Sequence, residues 1–288
     1  MTCATVPGRV NLIGEWIDFN GGTVLPMALS QSVELEMCPN GQTHDRVQSQ
    51  QFSDIADFGI DLPAAGHWSD YVRGGLQYGR RMGWLTGGQD VVLKSTIPVG
   101  AGLSSSAATI VATLRAAGAE LAGIDPAGIA RAAQHVENIF MGVPCGIMDQ
   151  MAVSVGRPGN VLALDTRDCS YQIMPVPAGW TFAVIHSGIA RALSDGRYRA
   201  RRQECLEAAG SLGVPYLCDG KLEDTPSLPP RPGQTGASCH LRRGPVPAGR
   251  HGACGRKPAI IRNAHECQPC FPAGRHGRVR PCPGRDGR

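Results

Sequence analysis

PVGAGLSSSAA, Pro98–Ala108, is the stretch that decides how this chain is read. Before it, DVVLKSTI (Asp90–Ile97) has the β-branched, aliphatic character of a strand and is closed by Pro98. After it, Ser104 to Ala122 places Ala107, Ile110, Val111, Leu114, Ala117 and Leu121 at helical spacing. The unit is strand, glycine turn, helix. Gly100 and Gly102 let backbone amides turn toward a ligand with no Cβ in the way. The helix N-terminus adds unsatisfied N–H donors and the positive end of a dipole. Ser104, Ser105 and Ser106 add hydroxyls able to bond phosphate oxygens or reach a magnesium ion. No lysine stands where a GxxxxGK[ST] loop needs one, so this is an anion cradle of another kind. A plain helix cap after a glycine turn is the competing explanation.

Four carboxylates and an arginine tilt the balance. Asp125-Pro126 starts a second helix, with an N-cap carboxylate and proline at the first helical position. That helix runs through Ile129, Ala133, Val136 and Phe140 toward Gly142, and carries Glu137 close to its apolar face. A carboxylate there wants a partner. Mg²⁺ beside a triphosphate is one; a partly exposed flank is the alternative. Asp149 lies among apolar neighbours in GVPCGIMDQM, Gly142–Met151, which costs free energy unless it is paired. It is either a catalytic base, the partner of an arginine, or the N-cap of the next helix. Near the start, GRVNLIGEWIDFNGG (Gly8–Gly22) sets Arg9, Glu15 and Asp18 beside glycine. Carboxylates with an arginine suit sugar hydroxyls, and a phosphate cradle beside them suggests phosphoryl transfer to one of those hydroxyls. Further along, Val161–Leu164 and Thr181–His186 have strand character, and Tyr198–Leu212 reads as a helix ended by Gly213.

The bulk numbers narrow the classes. The chain has 288 residues, 42% hydrophobic and 18% charged, enough for a large core. No apolar run approaches the roughly 18–20 residues of a membrane span. MTCATVPGRV lacks the pattern of a signal peptide, which makes the expected location cytoplasmic. The net charge of +4 is uneven. Residues 218–288 hold 13 Lys/Arg against 5 Asp/Glu, while the first 217 hold 15 against 19. The mildly acidic body argues against a nucleic-acid partner. Five scattered cysteines precede residue 218 and read as reduced thiols; six crowd the rest. That last part has 11 Gly, 11 Pro and 11 Arg but only 8 residues from the Leu/Ile/Val/Phe/Met/Trp/Tyr set, too few to offset ordering entropy. Its HECQPC (His265–Cys270) has no second cysteine pair at zinc spacing. A GC-rich stretch read out of frame explains such a composition.

Together these motifs match a known pattern. GRVNLIGEWIDFNGGTVLPMAL resembles the galactokinase signature of the GHMP small-molecule kinases, PVGAGLSSSAA resembles their phosphate loop, and GVPCGIMDQM resembles the stretch carrying the galactokinase base. RYRARRQECLEAAGSLG, Arg197–Gly213, is similar to galactokinases too, and the resemblance spans residues 4–217. It implies an α+β fold of two lobes with the active site between them: an amino-terminal lobe over 1–165, the start of a second lobe over 166–225, and an aberrant, disordered tail over 226–288. It implies ATP-dependent phosphorylation of galactose at the anomeric hydroxyl. Asp149 would take the proton, with Arg9 keeping it ionised. Glu15, Asp18, Tyr198 and the residue at Trp16 would meet the sugar. Gly100, Ala101, Gly102, Leu103, Ser104 and Ser105 would wrap the ATP phosphates, and Ser106 and Glu137 would hold Mg²⁺. The partners are small molecules and the expected state is a monomer. Two departures stand out. Family members usually carry histidine where this chain has Trp16, which leaves room for another sugar of the arabinose or N-acetylhexosamine type. The family's third glycine-rich motif is missing, and the family pattern fades after LEDTPSLP (Leu222–Pro229), as a shifted reading frame would make it. A silent sugar sensor and an inactive truncated product are the readings outside the enzyme class.

Overall fold

The computed structural model describes residues 1–186, 197–221 and 223–224. Eight strands make one mixed sheet: β1 (Thr2–Asn11), β2 (Thr23–Val24), β3 (Pro26–Pro39), β4 (His44–Ser49), β5 (Phe52–Gly59), β6 (Gln89–Ser95), β7 (Asn160–Asp165) and β8 (Tyr171–Pro175). The long strand β3 organises it. β1 runs antiparallel along one side of β3, and β6 and β7 pair with its other side toward opposite ends. β4 lies parallel to β6 and forms a hairpin with β5, while β2 and β8 flank β7. Alternation fixes the buried face. Ala4 and Val6 of β1 pair with Leu35 and Val33, Leu35 with Leu93, and Val91 with Met37 and Val47, and all of these are buried.

Five helices follow: α1 (Asp70–Arg81), α2 (Ser105–Ala116), α3 (Pro126–His135), α4 (Met148–Val155) and α5 (Arg197–Leu212). α2 is buried on most of its surface and sits against the sheet, with Ala107, Ala108, Ile110, Val111, Ala112 and Leu114 buried. Glycines of α1 let it approach closely: a Cβ on Gly75 would stand 2.8 Å from Thr113 Cβ, and one on Gly79 3.1 Å from Ala117 Cβ. A second core lies beside the first. Ile17, Val24, Met151 and Leu164 meet Cys205 and Ala208 of α5 and Leu217 of a short 3₁₀ turn, Leu217–Asp219.

The strand over 90–97 and the helix over 198–212 form as expected, within a residue or two, and Asp125 caps α3 by accepting the Gly128 N–H at 2.9 Å. Three expectations need correction. α2 ends at Ala116 instead of Ala122, because Gly118 takes a left-handed φ of 107° and turns the chain, leaving Leu121 90% exposed. The second helix widens into a π-turn over Val136–Phe140, whose N-cap is His135. Thr181–His186 is no strand: its propensity is right, but no strand among the described residues pairs with it, and Ile185 is exposed. The sheet also continues past residue 165 through β8. The expected disordered tail, 226–288, lies outside the described residues. Among the described residues no helix is long and apolar enough to cross a membrane.

Candidate active site

A bulge in β1 aims the first functional side chain. Pro7 has no N–H for the ladder, and the β1–β3 register slips between Pro7 and Arg9. Gly8 lets the strand close on the glycine loop, since a Cβ there would stand 2.9 Å from Leu103 O. The Arg9 N–H then bonds Leu103 O at 3.1 Å instead of a strand partner. Its side chain reaches the third motif. Nε donates to Asp149 Oδ1 at 2.8 Å and Nη2 to Asp149 Oδ2 at 2.7 Å, while Nη1 donates to Gly102 O at 2.7 Å. A planar guanidinium suits this two-pronged grip on a carboxylate. Ser104 completes the group, its hydroxyl 2.5 Å from Asp149 Oδ2.

Asp149 stands in the first turn of α4, whose N-cap is Ile147, so it is not the cap residue that the sequence left open. The helix dipole favours its negative charge there. Ser104 occupies the N-cap position of α2 without making a cap bond, and its φ of 57° is unusual for a residue with a side chain. The cradle itself is open. Gly100 and Gly102 have φ of 73° and 70°, and a Cβ on Gly100 would meet nothing within 4 Å, which leaves space above the loop for a phosphate chain. Ala101 and Ser105 are half-buried, and Leu103 is buried as an anchor of the loop in the core.

Glu137 lies inside the π-turn, buried, and burial together with the charge of Asp149 pushes its pKa up to about 7. Its hydrogen-bond partners are neutral: Ser106, Cys145 and Gln150. A buried carboxylate with only neutral donors fits a cation site. Among the described residues no three His, Cys, Asp or Glu side chains cluster as a metal cage. One carboxylate and one hydroxyl suit Mg²⁺, which keeps waters and substrate phosphates as its other ligands.

The turn between β1 and β2 carries Glu15, Trp16 and Asp18, all half-buried. Asp18 lies against Gly146, where a Cβ would collide with its carboxylate. Burial, then the nearby Asp149, raises the Asp18 pKa to about 7, against the pull of Arg9 and Arg202. Tyr198 comes in from α5, its hydroxyl accepting the Gly146 N–H at 3.2 Å. Burial and the charge of Asp18 push its phenol well above the ordinary range. Trp16 packs on Tyr198 with ring centroids 5.6 Å apart, and Phe19 meets Tyr198 edge-on at 5.5 Å. Trp16 has a φ of 66°. Arg9, Asp18, Ser104, Ser106, Glu137, Tyr198 and Asp149 thus lie in one connected neighbourhood, and Glu15 and Trp16 sit in the turn beside it. Cys145, Gly146, Gln150, Phe19 and Arg202 were not singled out from the sequence. The signal was available for the first three, which surround Asp149 in GVPCGIMDQM. Arg202 is one of several cations on α5, with nothing in the sequence to distinguish it.

Comparison with known proteins agrees with this geometry. Residues 2–38 match the galactokinase galactose-binding signature and residues 70–157 the GHMP kinases N terminal domain. A galactokinase of Thermococcus kodakarensis is 36% identical over 230 residues, covering 76% of this chain and 64% of the relative. The chain therefore spans just under two thirds of that protein's length. Among solved structures, Lactococcus lactis galactokinase complexed with galactose superposes with a TM-score of 0.73 at 22% identity, covering 84% of this chain and 67% of that one. Streptococcus pneumoniae phosphomevalonate kinase gives a TM-score of 0.52 at 14% identity, covering 83% and 79%. Two family models matching in the expected order and a 36% identical curated relative show that residues 2–157 carry the galactokinase galactose-binding signature followed by a GHMP kinases N terminal domain.

Proposed function

We propose that this chain is built to phosphorylate galactose, or a close relative of it, at the anomeric hydroxyl with ATP. One observation carries the reading. The Arg9–Asp149–Ser104 group ties the first motif, the glycine loop and the third motif into one hydrogen-bonded unit. Asp149 accepts the proton of the anomeric hydroxyl. The hydroxyl oxygen bonds the γ-phosphorus as the bond from that phosphorus to the leaving ADP oxygen breaks. Arg9 holds Asp149 in place through two bonds and brings positive charge beside the moving phosphoryl group. Asp18 and Glu15 accept sugar hydroxyls, and Trp16 and Tyr198 wall the same side. Amides of Gly100 to Ser105 wrap the phosphates. Ser106 and Glu137 would hold Mg²⁺, which supplies charge neutralisation on the phosphates when bound. Positioning and electrostatics account for most of the work.

The test is ADP release on a panel of sugars, with phosphorus NMR to locate the phosphate. We expect turnover on galactose with phosphate on the anomeric oxygen. Asp149→Asn is expected to lower turnover by about 10²-fold or more, the usual contribution of a positioned base, while galactose binding persists. Full activity in that variant would falsify the mechanism. A second reading, a kinase of the same kind acting on another sugar, is favoured by Trp16 packed against Tyr198 where family members usually present histidine. The same panel separates the two.

A further inference from the structure

The turn that carries Glu15, Trp16 and Asp18 has little regular structure of its own, yet its carbonyls are captured in series. Asn20 Nδ2 donates to Trp16 O at 2.5 Å. The Cys218 N–H donates to Asn20 O at 3.2 Å. Arg167 Nε donates to Gly21 O at 2.5 Å, and Thr166 takes Gly22 O with both its N–H, at 3.1 Å, and its hydroxyl, at 2.9 Å. Arg167 Nη2 is in turn held 2.5 Å from Asp219 Oδ1, and its guanidinium lies 5.7 Å from the Tyr216 ring centre. The Tyr216 ring presses on Gly21, whose φ is 74°, so that no larger residue fits there.

We propose that Arg167 and the Tyr216–Asp219 segment form a clasp that positions the sugar turn, making Arg167 and Asp219 positioning residues for substrate specificity. This rests on the reading of the turn as the sugar subsite. The physical reason is backbone accounting. Buried or half-buried carbonyls in an irregular turn need partners, and here three of the four are satisfied from segments about 145 to 200 residues away. Those contacts set the turn's path, and with it where Asp18 and Trp16 stand relative to Gly146 and Tyr198. A consequence follows for the chain as a whole. The clasp ends at Asp219, ahead of the point where the family pattern fades, so every residue named in it lies within the part of the chain that keeps the resemblance.

The test uses the full chain with Arg167→Met, which keeps the apolar stem of the side chain but removes its donors, and Asp219→Asn as a milder second variant. Two quantities are read: amide hydrogen exchange over residues 14–22, and galactose affinity by calorimetry. Arg167→Met should speed exchange across the turn and weaken galactose by about tenfold, the loss of one charge-assisted hydrogen bond, while ATP affinity stays the same. Asp219→Asn should act in the same direction, and the double variant should be no worse than Arg167→Met alone. Unchanged exchange over 14–22 overturns the clasp; faster exchange with unchanged galactose affinity overturns its link to the sugar. If the unsubstituted chain takes up no galactose, the sugar reading falls, and the exchange comparison alone upholds or overturns the clasp.

Discussion

Asp18 is the residue whose chemistry is set most plainly by its surroundings. Its carboxyl rises from an ordinary 3.8 to about 7, chiefly through burial and then through Asp149. The sign of the stability effect follows. Between those two values the folded chain keeps a proton that the unfolded chain has released, so this group favours folding less and less as pH rises through that window. Asp18→Asn removes the titration. Melting midpoints of the two chains, taken from pH 4 to pH 8, should diverge in favour of the asparagine variant as pH rises toward 7 and then run level. Parallel curves would mean that Asp18 is not desolvated. The candidate residues of the site were legible from the sequence: Arg9, Asp149 and Glu137 each pair a polar type with apolar company. Ser104 was legible only as one of three serines. Its left-handed backbone and its bond to Asp149 depend on how α4 meets the glycine loop.

At the scale of elements, packing decides more than propensity. Glycine in a helix usually weakens it, yet three glycines of α1 sit where the helix meets α2 and the π-turn. Gly75→Val would place three carbons against Thr113, a fully buried residue of α2, and should cost roughly 2–3 kcal/mol by overpacking. Gly210 offers the opposite case. It is exposed in α5, with nothing within 4 Å of an added Cβ, so Gly210→Ala should stabilise by about 0.5–1 kcal/mol. Denaturant unfolding of both variants measures this. A stabilised Gly75→Val would mean that α1 does not pack on α2 as described. The same lesson explains two of the elements read differently from the sequence. Leu121 continued the helical spacing, but the turn at Gly118 came first. Thr181–His186 has strand propensity, but a strand is made by its partners.

For the whole molecule, two cores meet at the site. The first packs the sheet on α2; the second packs β7 and α4 on α5 and the 3₁₀ turn. Leu217, fully buried in the second, lies in that turn, between Tyr216 and Asp219 of the proposed clasp. Leu217→Ala should cost about 2–4 kcal/mol and weaken galactose more than ATP, because the glycine loop belongs to the first core. Equal weakening of both ligands, read by calorimetry, would deny the two cores separate roles. The sequence by itself determined the candidate residues and the family resemblance: residue types at fixed spacing, such as glycines and serines before a helix, carry that information locally, and so does the change of composition near residue 218. Only the tertiary structure decided which of these groups touch. Arg9 meets Asp149 across 140 positions, and Arg167 meets Asp219 across 52. Such pairings depend on register, on a bulge at Pro7 and on helices packed through glycine, and none of these leaves a periodic trace along the chain.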